Sequence, residues 1–222
     1  MKVTGKKLIG IMGLALIFSA CASTGPAPAG PQIQGTPIVD IPNPPAEKQL
    51  VAIAGFQNKS TYSADKLWDT SGQMLMTELL RTNYFRLVEW AEMKRLFDWE
   101  ALSTCSLVSN PNDMTEARKI LNCEYFISGT ITKFDVNVSG RTSAMSKKKT
   151  FDTSIRVDLL LQNAATGEYL SQGIGESTVV QTLSGGMGGG QTGMWDTASA
   201  NSGLERAIRS ALTQLIRNYA GR

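Results

Sequence analysis

The chain has 222 residues, of which 42% are hydrophobic, 18% charged and 7% aromatic, and it contains no histidine. A globular composition without an imidazole excludes a Ser-His-Asp triad, a Cys-His pair, a His-ligated zinc and a histidine pH switch. The 22 Lys and Arg exceed the 19 Asp and Glu by three, and Lys2, Lys6 and Lys7 account for that excess, so the rest of the chain is neutral and offers no electrostatic footprint for nucleic acid.

In chain order, those three lysines form a positive n-region, and the eleven residues from Leu8 to Phe18 form an apolar run interrupted only by glycines. A bilayer core needs about 20 apolar residues, so the run reads as the h-region of an export signal rather than a span. Phe18-Ser19-Ala20-Cys21 follows, with small residues before a cysteine, and resembles a bacterial lipobox. That resemblance implies that residues 1–20 are a lipoprotein signal peptide and that Cys21 becomes an N-terminal residue carrying lipid on its sulfur and amine. The alternative is an ordinary signal peptide and a soluble periplasmic product. Ala22, where an aspartate would mark retention, points by analogy to the periplasmic face of the outer membrane. Residues 21–49 contain seven of the eight prolines together with Gly25, Gly30 and Gly35, which predicts an extended, solvated tether suited to a domain acting at a distance from its membrane. Residues 50–222 are long enough for one domain with its own core.

Cys105 and Cys123 remain, in a chain addressed to an oxidising compartment. They form either a disulfide or two buried thiols that never meet, because spacing alone does not supply their separation.

Within the domain, Leu50 to Phe56 is an apolar run of strand length, as expected of a strand buried on both faces. A polar stretch leads to a helix over about 70–83, with Met74, Leu75, Glu78 and Leu79 at helical spacing. Phe85 to Glu89 reads as a second strand. Ala91 to Glu100 reads as an amphipathic helix with Met93, Leu96 and Phe97 inward, and a further helix starts at Pro111, capped by Asn112 or Asp113, and ends near Asn122. Tyr125 to Ser139 and Phe151 to Leu161 are long strand patterns with Lys147, Lys148 and Lys149 at the turn between them, and this hairpin is expected to overhang the sheet. A turn at Ala165-Thr166-Gly167-Glu168 returns the chain as a last strand, Tyr169 to Leu183. A final helix, about 199–220, places Leu204, Ala207, Ile208, Ala211, Leu212, Leu215, Ile216 and Tyr219 on one sheet-covering stripe. The expected fold is therefore α/β (α+β), a single domain with a mixed sheet of about five strands flanked by about four helices in the order βαβααβββα.

Little in this pattern carries covalent chemistry. Gly188, Gly190 and Gly193 match G-x-G-x-x-G, but no phosphate-loop Lys-Ser/Thr accompanies them and no acidic residue stands about 20 positions on, so a flexible loop is the better reading. Carboxylate pairs such as Asp98 and Glu100, or Asp158 and Glu168, read as ordinary solvated charges. No catalytic residue, metal site or cofactor is expected.

Several words stand in a definite order along the chain: Val51 to Phe56 followed by Asn58, Met74 to Leu79 entering Tyr84 to Glu89, Tyr125 to Ile131, and Val157-Asp158-Leu159 leading to Ala165 to Leu170. In that order they resemble the CsgG family of outer-membrane lipoproteins. The resemblance implies a fold like the N-terminal domain of TolB and like LpoB, and a non-enzymatic role as a ring of identical copies that passes secreted amyloid-type subunits outward. It also implies membrane-entering hairpins. Here the first hairpin offers Phe134, Val136 and Val138 on one strand and Phe151, Ile155 and Val157 on the other, and a second candidate from Ser177 to Ser199 is short and rich in glycine. The loop Asn58 to Trp68 lies where the family builds a channel constriction, with Tyr62 as its aromatic candidate. Three roles stay open: an export channel, a lipid-anchored oligomeric scaffold without a barrel, and an activator of a cell-wall synthase.

Overall fold

The first strand, β1 (Gln32–Gly35), comes from the stretch expected to be tether. Pro31 and Pro37 bracket these residues, which are themselves free of proline and can pair along a sheet edge. They do so antiparallel to Ser177–Val180, and the Thr36 amide and hydroxyl continue the contact at Glu176. The domain thus begins near Gln32 rather than at residue 50. The computed structural model describes residues 30–63, 66–142, 146–186 and 195–221. The signal peptide, Cys21 and the glycines at 188, 190 and 193 lie outside the described residues.

The second strand, β2 (Leu50–Asn58), runs parallel to both the two-residue β3 (Arg86–Leu87) and β4 (Tyr125–Thr142), and its residues Val51 to Phe56 are buried, as a strand covered on both faces must be. β5 (Ser146–Asn163) and β6 (Tyr169–Gly186) complete a meander, giving six strands in the order β1-β6-β5-β4-β2-β3. The expected element order is recovered with two changes: the added edge strand, and a finer division of the helices.

Helix α1 (Leu67–Thr82) stops at Asn83, whose left-handed backbone donates its amide to the Leu79 and Leu80 carbonyls. The single helix expected over 91–100 is instead α2 (Trp90–Leu96) followed by α3 (Trp99–Thr104) and the single turn α4 (Ser106–Ser109). The reason is geometric. Met93 and Leu102 are both fully buried, yet nine residues at about 100° each place them on opposite sides of a straight helix. An extended Phe97 breaks the helix and lets both reach the core. α5 (Pro111–Leu121) is capped by Asn110, whose side chain accepts the Asn112 amide, and not by Asn112 or Asp113. Pro111 occupies the first helical position, where its missing N–H costs nothing. α6 (Thr197–Ala220) starts on Asp196, which accepts from the Ala198 and Ser199 amides, and its predicted stripe from Leu204 to Ile216 is buried.

α1 and α6 share one face of the sheet. α3 takes the other face over β2, where Gly55 adopts φ 146° at a register shift and a side chain would meet the backbone of Leu102. Along β6 the inward row is Ser171, Gly173, Gly175 and Ser177, and this run of small residues brings α6 onto the strand backbone. Ser171 and Ser177 donate their hydroxyls to the Leu215 and Gly203 carbonyls at 2.7 Å each. The opposite face of β5 and β6 is not buried and carries Arg156 between Asp158 (3.3 Å) and Glu176 (3.1 Å).

Candidate functional surface

The three meander strands are 18 residues each, about three times the usual length. β2 accompanies β4 only as far as Ile131, so Thr132 to Thr142 overhangs the rest of the sheet. The lysines expected at the hairpin turn belong to β5 instead: Lys147, Lys148 and Lys149 stand opposite Thr142, Arg141 and Gly140.

The two edges of the meander are treated differently. On the β6 side, β1 covers Ser177–Val180, the Gln214 side chain of α6 accepts the Ile174 amide at 2.6 Å, and Asn218 donates to the Gln172 carbonyl at 2.9 Å. On the β4 side, no described strand pairs with the edge from Thr132 onward. An open row of backbone donors and acceptors is a template for another chain, and Val138 lies on it with 55% of its surface exposed.

In this structure the hairpin residues that the resemblance assigns to the membrane pack largely against the domain. Phe134, Phe151, Ile155 and Val157 are buried in the domain, Val136 is half-buried against the same core, and Val138 alone is exposed. The cause is the loop and helix that close over them. Tyr62 stacks on Phe134 with centroids 4.2 Å apart and planes 12° apart, and Trp195, just before α6, meets Tyr62 edge-on at 5.7 Å. The Trp195 indole donates to the Thr153 hydroxyl at 3.1 Å, which ties the start of α6 to the middle of β5. Asn58 fixes the loop from below by donating to the Tyr62 carbonyl and accepting from Ser60. In this structure Tyr62 therefore packs against the hairpin. Trp195 was not singled out in the sequence. A lone tryptophan beside a glycine-rich stretch gives no signal of the aromatic that it will find.

Cys105 and Cys123 are both free and buried, which decides between the two alternatives in favour of thiols that never meet. Cys105 donates its thiol to the Gly129 carbonyl at 3.7 Å, whereas Cys123 lies two residues before the start of β4 at Tyr125. The four residue steps from Tyr125 to Gly129 alone span about 13 Å of strand, well beyond disulfide reach. Burial pushes both thiols up to about 11, so neither is a ready nucleophile.

The strongest buried polar contact joins α1 to α6. Glu78, which sequence periodicity places on the inward stripe of α1, is almost fully enclosed, and Arg209 donates to it twice at 2.9 and 3.0 Å, with Arg81 adding a third bond at 3.0 Å. Those hydrogen bonds hold the Arg209 guanidinium above its ordinary range. It clamps two helices together and reads as structural. Asp69 joins Trp90 (2.8 Å) and Lys94 (2.9 Å) in a smaller version. Burial raises the Asp69 carboxyl, but those two partners outweigh it and hold the group below the usual carboxylate range. Among the described residues no group of three His, Cys, Asp or Glu could hold a metal ion, and no helix is long and apolar enough to cross a membrane.

No curated protein matches the chain. Among solved structures it is similar to lipoprotein GNA1162 from Neisseria meningitidis, with 10% identity and a TM-score of 0.39 over 66% of this chain and 88% of that one. It is also similar to the LpoB C-terminal domain from Salmonella enterica, with 13% identity and a TM-score of 0.41 over 60% of this chain and 86% of that one. A PelC dodecamer from Paraburkholderia phytofirmans gives 12% identity and a TM-score of 0.39 over 83% of this chain and 96% of that one. The family model for the curli production assembly/transport component CsgG matches residues 36–219, from the residue after β1 to the last turn of α6. The chain belongs to the CsgG family.

Proposed function

We propose that this chain is a lipid-anchored, outer-membrane-associated component that acts in the assembly or transport of secreted subunits, without covalent chemistry, as a ring of identical copies. The observation that carries the reading is the unequal treatment of the meander's edges. One edge is covered as far as Val180 by β1 and by side chains of α6, and the other is left open for the eleven residues from Thr132 to Thr142 with an exposed valine on it. A protein that works alone gains nothing from one long open edge, and natural sheets normally blunt such edges. A heterologous contact made by one open edge against a different surface of the next copy closes into a ring when the rotation permits.

The burial of Phe134, Phe151, Ile155 and Val157 supports a ring that lies on the periplasmic face with its meander folded against the domain. A strand face held under Tyr62, Trp195 and α6 is not available to lipid. The overhang is long enough for one crossing, since a transmembrane strand needs about 9–11 residues, so the competing reading is a channel formed after this aromatic latch opens. Planar-bilayer recording on the membrane-extracted protein separates the two. The expected result is no discrete conductance from the wild type, because the latch is closed. Stepwise conductance from the wild type that grows with Trp195→Ala would establish the channel instead.

A further inference from the structure

The overhang ends in a concentration of positive charge that the ring does not use. Residues 136–151 contain Arg141, Lys147, Lys148 and Lys149 and no aspartate or glutamate, and residues 181–186 of the adjoining strand are uncharged. Arg141 and Lys148 stand directly opposite each other across β4 and β5, so they share a face. Like charges at such a position repel, an arrangement that sheets avoid unless something negative sits between or above them. The two line a shallow cleft of about 400 Å³ with the hydroxyl residues Ser139 and Thr150. On the opposite face, Lys149 lies over the Phe151 ring at 4.8 Å. Positive charge therefore emerges on both faces of one hairpin end. A small anion bound in the cleft would answer only one of those faces, whereas an extended anionic plane met end-on answers both.

The path of the N-terminal segment supplies the second observation. β1 runs antiparallel to β6 with Gln32 opposite Val180, so the chain before Gln32 leaves toward Gly186, which is itself paired with Ser146 at the hairpin end. Only ten residues, 22–31, separate Cys21 from β1, and none of them is charged. Fully extended they reach about 35 Å. The described chain therefore enters β1 from the side of the basic tip, ten residues after Cys21.

We propose that Arg141, Lys148 and Lys149, near the end of the β4–β5 hairpin, form a contact site for anionic phospholipid headgroups of the membrane to which Cys21 fastens the chain. The inference rests on the lipidation of Cys21 for the direction of approach. Charge on the strands supplies a second, salt-sensitive attachment beside the acyl chains and fixes the orientation of the domain at the surface.

The test uses the full processed chain reconstituted in vesicles of phosphatidylcholine, alone or with about 30% phosphatidylglycerol, at about 50 mM and 500 mM salt, a range over which screening shortens from well beyond to well below the width of the patch. Tryptic cleavage after Lys147, Lys148 and Lys149 is followed by mass spectrometry. The expected result is cleavage about tenfold slower on the anionic vesicles at low salt only, with the protection lost in the Arg141→Gln/Lys148→Gln/Lys149→Gln variant, whose exposed positions leave folding intact and whose Lys147 remains a site. Equal cleavage on both vesicle types overturns the proposal. So does protection that persists on neutral vesicles and at high salt, which indicates a hairpin that crosses the bilayer. Flotation with neutral vesicles reports the Cys21 anchor separately, since acyl chains hold the protein there whether or not the basic tip does.

Discussion

Gly175→Val lowers the thermal midpoint of the domain by about 10 °C, and Gly173→Val does the same. Both positions lie on the inward row of β6, and a side chain at either would drive into the α6 backbone, at the Ala207 carbonyl from Gly175 and at the Ala211 carbonyl from Gly173. Neither obstacle is the flexible end of a side chain, so the only relief is to lift the helix. Lifting α6 uncovers Leu204, Ile208, Leu212 and Leu215, all fully buried, and stretches the hydroxyl bonds from Ser171 and Ser177. Overpacking against a movable neighbour costs about 1–3 kcal/mol, and a backbone obstacle places these variants at or above the upper end. For a domain of this size about 3 kcal/mol corresponds to roughly 6–12 °C. Differential scanning calorimetry reads the shift directly. Gly140→Val, at a position on β4 where only the distant Lys148 carbonyl comes near at 3.8 Å, serves as the control and should change the midpoint little.

Arg209→Ala destabilises the domain by about 3 kcal/mol, as measured by urea unfolding, even though Arg209 itself is partly exposed. The cost arises at its partner. Glu78 keeps 4% of its side chain exposed, and removing Arg209 strips two of its three described hydrogen bonds, leaving Arg81 alone to answer a buried carboxylate. Breaking one side of a buried pair costs about 3–5 kcal/mol, and the remaining Arg81 contact holds this case to the lower end. The double variant Glu78→Met/Arg209→Met should recover most of the loss, because apolar residues of similar volume avoid the desolvation that the ion pair must offset. A coupling near zero in this double-mutant cycle would show that the α1–α6 clamp is not the contact described above.

Much of this architecture follows from periodicity. The inward stripe of α6 and the buried Val51 to Phe56 run were identifiable because each satisfies one period along its whole length. The parallel placement of β2 beside β4 follows from the helices that intervene, and the overhang from two strand patterns too long for a five-strand sheet. Glu78 stood on the apolar stripe of its helix, which marked it as inward, but nothing near it in sequence named a partner 131 positions away.

The features that were missed depend on contacts no local pattern contains. Proline density argues against helix, and none forms over the described residues 30–49, yet four consecutive residues without proline suffice for an edge strand once β6 presents an unfilled edge. The alternation of Phe134, Val136 and Val138 with polar residues describes a strand with one apolar face. Alternation alone does not say whether that face meets lipid or the protein's own helix. In this structure Tyr62, Trp195 and α6 cover that face, and their approach is set by long-range packing. The break at Phe97 has the same origin, since it is Leu102 meeting β2 beside Gly55 that requires the helix to turn.

In the proposed ring the open β4 edge is the surface through which copies assemble, and Val138 is its exposed apolar residue. Photo-crosslinking in intact cells from p-benzoylphenylalanine placed at position 138 examines that surface where the protein works. A ladder of adducts at integer multiples of the subunit mass is the predicted outcome. Monomer alone, or a single adduct to a protein of different mass, contradicts the ring.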